Sequence, residues 1–270
     1  VLFRSLYTYD LDVFGDYSLF QYINRTSTPV GKQHLADWFN AHLELKESIE
    51  QRQEAIRELS TDLEYRQQIR LFGLLYKGKP ADINEIREWA GSPSYYRKHT
   101  LLRIIPTVVS IINLICIGSA IVGILPATVP GGVFFCFVIF SSIFSKGITK
   151  LQATYGKKLQ ILSTYADQIL LTEKKEMNSP VLQQLKTELT SQNQTASQAV
   201  RQLSKLMNAL DQRSNLLMST ILNGLIFWEL RQVMRIEKWK ETHASDLPRW
   251  IETIGEIDAY CSLADRKSVV

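Results

Sequence analysis

The sequence predicts an all-α fold, a bundle of long helices interrupted by a two-helix transmembrane hairpin. Apolar residues recur at spacings of three and four along most of the 270-residue chain, and no stretch alternates with period two for long enough to indicate a strand. Between Arg103 and Lys146 there is no Asp, Glu, Lys, Arg or His over about 40 residues, twice the roughly 20 residues that cross a bilayer as a helix. The hydrophobic share of 45% supplies a core.

Composition excludes several other classes of protein. With 13 Gly and 8 Pro, the chain is neither collagen-like nor disordered. The net charge of +4 decides nothing about nucleic-acid binding, because a phosphate-binding surface is a local cluster. The three cysteines, Cys116, Cys136 and Cys261, are widely spaced, so a disulfide framework and a zinc site are both unsupported and a reducing compartment is expected.

Helices fill the part of the chain before the apolar block. Thr28 is a predicted N-cap with Pro29 at the first helical position, and Leu35 and Trp38 follow on one face of a helix that ends near His42. Residues 49–59 continue the helical period. Ser60 or Thr61 is expected to cap a third helix that ends near residue 76, and a short fourth helix covers residues 83–90.

The charge-free block divides into two predicted spans, residues 104–125 and 133–148. Between them the sequence PATVPGG supplies two prolines and two glycines, which favour a tight reversal. The second span is short, at about 16 residues against the usual 17–25. A buried helical hairpin of a soluble protein is the alternative, and the length of the block favours the membrane.

Basic residues flank the block on both sides, and the turn carries no charge. The positive-inside rule therefore places both ends of the hairpin, and both soluble parts, in the cytoplasm of a membrane-bound protein. The membrane-flanking residues are Arg97, Lys98, Arg103, Lys146, Lys150, Lys157 and Lys158.

Helices also fill the part of the chain after the hairpin. A period near 3.6 carries a helix from residue 151 to about residue 175, and Asn178-Ser179-Pro180 then interrupts it. Residues 181–240 contain no proline and predict one or two long helices. The apolar stretch 216–230 within them is interpreted as buried core, with a third span as the alternative. Residues 243–246 end that helix and cap the last one, which reaches residue 260.

Sequence motifs of catalysis are absent. The chain contains no phosphate loop, dinucleotide fingerprint, zinc-protease motif or nucleophile elbow, so no catalytic residue and no metal ligand is assigned. The histidines are scattered along the chain. Arg201, Lys205 and Arg213 on a predicted long helix are candidate nucleic-acid contacts, and an ordinary solvated helix face is the favoured alternative.

The two ends of the sequence predict a non-native origin. Residues 2–5 and 265–268 can be encoded by DNA that is the same sequence read on opposite strands, which is typical of a translated sequencing adapter. Residues 1–5 and 265–270 are therefore expected not to be native, and the chain is expected to be an internal part of a longer protein.

Two runs near the start of the chain resemble the opening of the MutS core domain. Residues 18–39, SLFQYINRTSTPVGKQHLADWF, follow the leucine-rich start, Thr-x-Thr-x-x-Gly turn and Leu-x-x-Trp helix of that family, and residues 49–59, IEQRQEAIREL, follow its next helix. Residues 210–215 and 256–264 resemble the returning half of the core, more loosely. The matching core-motif residues are Thr26, Thr28, Gly31, Leu35, Trp38, Arg52, Ile56 and Leu59.

The resemblance to MutS implies a division of the chain and a function. Residues 6–95 and 149–264 would be the two halves of a lever core, and residues 101–148 replace the DNA clamp with the hairpin. The family's levers couple an ATP-binding domain that follows the core to engagement of DNA. By resemblance we expect a mismatch-repair ATPase that uses ATP and Mg²⁺, contacts double-stranded DNA and a lipid bilayer, and forms a homodimer through the ATP-binding domain.

A non-enzymatic membrane scaffold is the alternative function. Its long helices around residues 181–240 would bind partners on the cytoplasmic side, and no motor domain would be needed. A transporter is disfavoured, because the hairpin holds few polar residues besides Asn113 and some serines.

Overall fold

The computed structural model describes residues 10–75, 80–190, 195–211 and 215–267. Side chains are described at these positions except 80–82, 146, 150–161, 163–164, 211, 216 and 266–267. The described residues are helical apart from short connections and one isolated antiparallel bridge between Thr190 and Thr195. The predicted all-α class is confirmed.

The helices follow one another in a simple order. In the part of the chain that the structure describes they are α1 (Leu19–Ile23), α2 (Pro29–Asn40), α3 (Lys46–Thr61), α4 (Leu63–Leu75), α5 (Pro80–Gly91), α6 (Thr100–Ile121), α7 (Thr128–Lys174), α8 (Pro180–Glu188), α9 (Ala196–Asp211), α10 (Leu216–Ile226), α11 (Trp228–His243) and α12 (Leu247–Lys267). They form two compact units.

The first unit comprises Val1–Arg87, Ile161–Arg201 and Ser245–Val270. Its central element is α12, which packs against α1, α2, α3, α4 and α8. The apolar face of α12, which includes Trp250, Ile254 and Ile257, is fully buried. The last helix of the chain is therefore the core around which the opening helices are arranged.

The second unit comprises Glu88–Gln160 and Gln202–Ala244. Here α6 packs against α10 and α11, and α10 packs against α11. The carboxylate of buried Glu237 on α11 accepts hydrogen bonds from the backbone N–H groups of Tyr95, Tyr96 and Arg97 at 2.6–3.1 Å. These bonds hold the segment before α6 against α11.

Several helix boundaries agree with the sequence, and one predicted cap is wrong. Thr28 caps α2 as predicted, with its side chain accepting a hydrogen bond from the Gly31 N–H. Ser60 and Thr61 do not cap the next helix, because both lie inside α3 and donate back to its carbonyls. Asp62 takes that role, accepting from the Tyr65 N–H at 2.9 Å.

The hairpin is longer than its sequence predicts. Helix α7 begins at Thr128, five residues before the predicted start, and runs without a break through 47 residues. Pro130 lies in the first turn of α7. It costs the helix no hydrogen bond there, since the N–H that proline lacks would have no helical partner. Among the described residues, Thr100–Ile121 and Thr128–Ser145 are each long and apolar enough to cross a membrane.

Residues 181–240 differ from the prediction of one or two long helices. The structure divides residues 180–243 into α8, α9, α10 and α11. Phe227 separates the last two by adopting a left-handed conformation with φ of 52°, which a non-glycine residue rarely does. Helical periodicity continues across such a break and therefore does not reveal it.

The interpretation of residues 216–230 as buried core is also wrong for their first half. Leu217 is 79% exposed, and Met218 and Ile221 are exposed as well, whereas Phe227 and Leu230 are buried. The stretch turns these apolar side chains outward while Asn223 and Glu229 lie inside the unit.

Candidate functional site

A buried polar site in the first unit joins the opening turn, residues 24–28, to α12. Its centre is the Asp258 carboxylate, which is only 2% exposed. Ser27 donates to it through its N–H and hydroxyl at 2.9–3.2 Å, and Thr28 donates through its N–H and hydroxyl at 2.8 Å. We call this contact, together with Ser262, the seam.

Ser262 lies one helical turn after Asp258 and makes the second polar link of the seam. Its hydroxyl donates to the Ile23 carbonyl at 3.0 Å and accepts from the Arg25 N–H at 2.8 Å. Because residues four apart share a helix face, Asp258 and Ser262 bind the same extended segment. The seam thus fixes α12 along its axis as well as sideways.

Burial and hydrogen bonding act on Asp258 in opposite directions. Burial raises its pKa to about 6, against the bonds from Thr28 and Ser27, which lower it. All of the groups that bond it are donors, which suits a carboxylate acceptor, yet burial outweighs them and leaves the pKa raised. The N–H and hydroxyl groups of Ser27 and Thr28 thus hold the carboxylate in place.

Small residues let α2 approach α12 closely. A Cβ placed on Gly31 would collide with the Asp258 side chain, and one placed on Gly255 would collide with Val30. Any larger side chain at either position would separate the two helices. Gly31 is one of the predicted core-motif residues; Gly255 is not, because no motif or turn marks it in the sequence.

Aromatic residues extend the contact between α2 and α12. The rings of Trp38 and Tyr260 lie with centroids 4.6 Å apart. The Arg52 guanidinium of α3 lies over the Trp38 ring, 4.4 Å from its centroid. Leu35 is fully buried beside Phe20. Cation–π and aromatic pairs of this kind add about 0.5–2 kcal/mol each to area burial.

The remaining core-motif residues support the seam from outside it. The Thr26 hydroxyl donates to the Asn24 side chain at 2.6 Å and so shapes the opening turn. Leu59 is fully buried and Ile56 partly so on α3. The structure therefore gathers all of the core-motif residues in the first unit, and their family role remains a prediction.

A charged pair beside the seam has no counterpart in the sequence analysis. His34 Nε2 lies 2.9 Å from Glu252 on α12, and the Arg87 guanidinium donates to the same carboxylate. The hydrogen bond to Glu252 raises the pKa of His34, and the bond from His34 lowers the pKa of Glu252. A cavity of about 380 Å³ opens next to Glu252 and Arg87.

The predicted nucleic-acid contacts are described only in part. Arg201 pairs with Asp167 at 3.0 Å, and both side chains are about half exposed. Lys205 is exposed on the same helix, α9. Arg213 lies outside the described residues. The DNA role of these residues stays a prediction.

The predicted membrane-flanking residues are described only in part. Arg97 pairs with Glu241 at 2.8 Å, and Lys98 and Arg103 are exposed. The other four lie outside the described side chains, namely Lys146, Lys150, Lys157 and Lys158.

The described residues show no cluster of three or more His, Cys, Asp or Glu side chains that could hold a metal ion, and the sequence shows no phosphate-binding loop. What the site offers is a mechanical connection. No chemical step follows from its geometry.

The chain matches a protein-family model. The family model described as MutS domain III matches residues 4–264, nearly the whole chain. No curated protein and no solved structure matches the chain.

Proposed function

The chain belongs to the MutS family of mismatch-repair proteins through its domain III, and on that premise we propose that it is the lever of a membrane-anchored, MutS-like ATPase. The lever couples an ATP-binding domain elsewhere in the protein to engagement of DNA or of the membrane. ATP, Mg²⁺ and dimerisation through the ATP-binding domain belong to that proposal. The observation that carries it is the seam, because a lever must transmit movement without slipping.

The seam supports transmission because α12 cannot slide without breaking buried bonds. Asp258 accepts hydrogen bonds from four donors, the N–H and hydroxyl groups of Ser27 and Thr28, and bonds to a charged group are worth about 1.5–3 kcal/mol each. A shift of one residue, about 1.5 Å, would move both Asp258 and Ser262 out of bonding distance. Movement of α12 is therefore expected to carry the opening helices with it.

The membrane anchor is supported by exposure of the hairpin. A core helix of a soluble protein hides its apolar residues, yet only 17% of the apolar window in α6 and 0% of that in α7 is buried. On α7 the outward residues Phe135, Ile139 and Ile143 recur every four positions, so they line one face. An apolar face of this size left in water would be an aggregation hazard, whereas acyl chains satisfy it.

Flotation with phosphatidylcholine vesicles tests the anchor. The chain is expected to float with the vesicles and to stay bound in high salt and in alkaline carbonate. Replacing both Ile139 and Ile143 by Asp should abolish flotation, since a charged residue at the centre of a span costs about 2.5–3.5 kcal/mol. The matched control replaces Leu71 and Leu74 by Asp on α4, where both side chains are also exposed, and should still float. Failure of the native chain to float would overturn the anchor.

The coupling to an ATPase is tested in the gene and then in the complete protein. Genomic DNA read past Ala264 is expected to encode a G-x-x-x-x-G-K-[ST] loop after a strand. A stop codon or an unrelated domain would instead support the membrane scaffold, which needs no motor. In the complete protein, spin-label distances across the seam should stay constant when nucleotide binds, because a lever moves as one body.

DNA engagement is tested by the salt dependence of duplex binding. Each phosphate contact contributes about −0.9 to the slope of log affinity against log salt. If α9 contacts phosphates, Arg201→Ala should make the slope less negative by about that amount. Arg249→Ala on α12 is the control, since Arg249 is an exposed arginine in an ion pair like Arg201. A chain without salt-dependent binding would leave only the membrane as the engaged surface.

A further inference from the structure

Helix α10 has its polar and apolar residues arranged opposite to those of a helix in water. Its large apolar residues Leu217, Met218 and Ile221 are exposed, whereas Asn223 and Gly224 are buried. Surface helices of soluble proteins place apolar residues inward and polar residues outward. The reversed arrangement is expected where the surroundings of the helix are themselves apolar.

The inward polar residues of α10 bond to each other and to Glu229 of α11. The Ser219 hydroxyl donates to the carboxylate of buried Glu229 at 3.0 Å. The Asn223 side chain accepts from the Glu229 N–H at 3.0 Å and donates to Ser219 at 3.4 Å. These polar groups are thereby withdrawn from the outward face, as a low-dielectric environment requires.

The C-terminal end of α10 is fixed to the hairpin. The buried Asn113 amide of α6 donates to the Gly224 and Leu225 carbonyls at 3.0 Å each, which otherwise have no helical partner at a helix end. Gly224 lies so close to α7 that a Cβ there would collide with Phe134 and Val138. The exposed face of α10 therefore adjoins the exposed apolar surface of the hairpin.

A second contact lies at the break that follows α10. The Phe227 ring lies with its centroid 5.8–6.5 Å from those of Phe137, Phe140 and Phe144 on α7. Polar bonds and aromatic packing thus attach the same short segment to both helices of the hairpin.

We infer that α10 is a third membrane-contacting element, docked on the hairpin with its outward face against lipid acyl chains. Its 11 residues reach about 16 Å, roughly half of a 30 Å hydrocarbon core, so it enters the bilayer without crossing it. We assign lipid as the partner of the outward face of α10 because that face is continuous with the exposed apolar surface of the hairpin. This inference rests on the proposed membrane anchor.

Quenching by brominated lipid tests the inference separately from the anchor. Cys116 and Cys136 are first replaced by Ala, and Cys261 is left because it is buried. A single cysteine carrying an environment-sensitive fluorophore is then placed by Leu217→Cys or by Ile221→Cys. Matched labels at Ile139→Cys on α7 and at Leu71→Cys on α4 report the hairpin and the first unit, and circular dichroism confirms that each variant is folded.

Bromine in the acyl chains is expected to quench both α10 labels by as large a fraction as it quenches the label at Ile139→Cys. The label at Leu71→Cys should not be quenched. Quenching at Ile139→Cys without quenching on α10 would overturn the inference and leave the anchor standing. Quenching at neither would overturn both. If the emission of the α10 labels instead depends on protein concentration and not on bromine, the face binds a second copy and the inference is wrong.

Discussion

Replacing Asp258 tests whether its carboxylate holds the last helix to the opening turn. We expect Asp258→Ala to destabilise the first unit more than Asp258→Asn does. Alanine removes every acceptor of the seam at this position, whereas asparagine keeps one oxygen. The order of the two variants therefore depends on hydrogen bonding and not on charge alone.

The magnitudes follow from the donors. Without Asp258, the backbone N–H groups of Ser27 and Thr28 lose their acceptor, and a buried donor without a partner costs about 1–3 kcal/mol. Two such donors give about 2–6 kcal/mol, and relief of the buried charge offsets part of it. An asparagine oxygen at the Oδ2 position keeps the bonds from both N–H groups, which lie 2.9 and 2.8 Å from it, so its cost should be about 1 kcal/mol.

Urea unfolding in detergent micelles, followed by tryptophan fluorescence, measures these costs, and hydrogen exchange at Ser27 and Thr28 reports the seam itself. Asp37→Ala removes an exposed carboxylate of the same first unit and should change stability by less than about 0.5 kcal/mol. If Asp258→Ala costs no more than Asp258→Asn, or leaves exchange at Ser27 and Thr28 unchanged, the seam does not bear the role we assign to it.

The raised pKa of Asp258 predicts how its contribution to stability changes with pH. Its pKa is raised from 3.8 to about 6 in the folded chain, so the folded state binds the proton more tightly than the unfolded state. Its contribution to stability is then complete below pH 3.8 and falls as the pH rises to about 6. The difference in unfolding free energy between the native chain and Asp258→Asn should fall over that range; a rise would contradict the burial argument.

Two further changes probe the same unit. Gly31→Ala should lower stability by about 1–3 kcal/mol, because the new methyl group would collide with Asp258. Gly91→Ala is the control and should not lower stability, because a methyl group there meets nothing within 4 Å. Equal melting temperatures for the two variants would contradict this. The stabilisation that His34 draws from Glu252 should be lost as the pH rises above 6.5 through the raised pKa of His34. His34→Gln should remove that part of the pH dependence, and an NMR titration of His34 at or below 6.5 would count against the pair.

Local patterns in the sequence predicted what depends on neighbours along the chain. The Thr28-Pro29 pair predicted the start of α2 because capping joins residues three apart, and the charge-free block predicted two long apolar helices because hydropathy acts over a single segment. The family followed in the same way, from residues that lie within short runs, and the match to MutS domain III confirms the family.

Other features could not be read from the sequence, because their partners are far apart along it. Ser27 and Asp258 are separated by 231 positions, and His34 and Glu252 by 218. A periodic pattern shows which face of a helix is apolar and does not show which helix covers it. Gly255 and the left-handed Phe227 carried no signal for the same reason.

The sequence by itself determined the helical class, the two long apolar helices and the family, since each depends on residues close together in the chain. Only the tertiary structure decided that Asp258 joins the last helix to the opening turn, and that α10 turns its apolar side outward beside the hairpin. In both cases a polar side chain, Asp258 or Asn113, finds its donors or acceptors in a distant segment. Burial gives those bonds their strength, and burial exists only once the chain has folded.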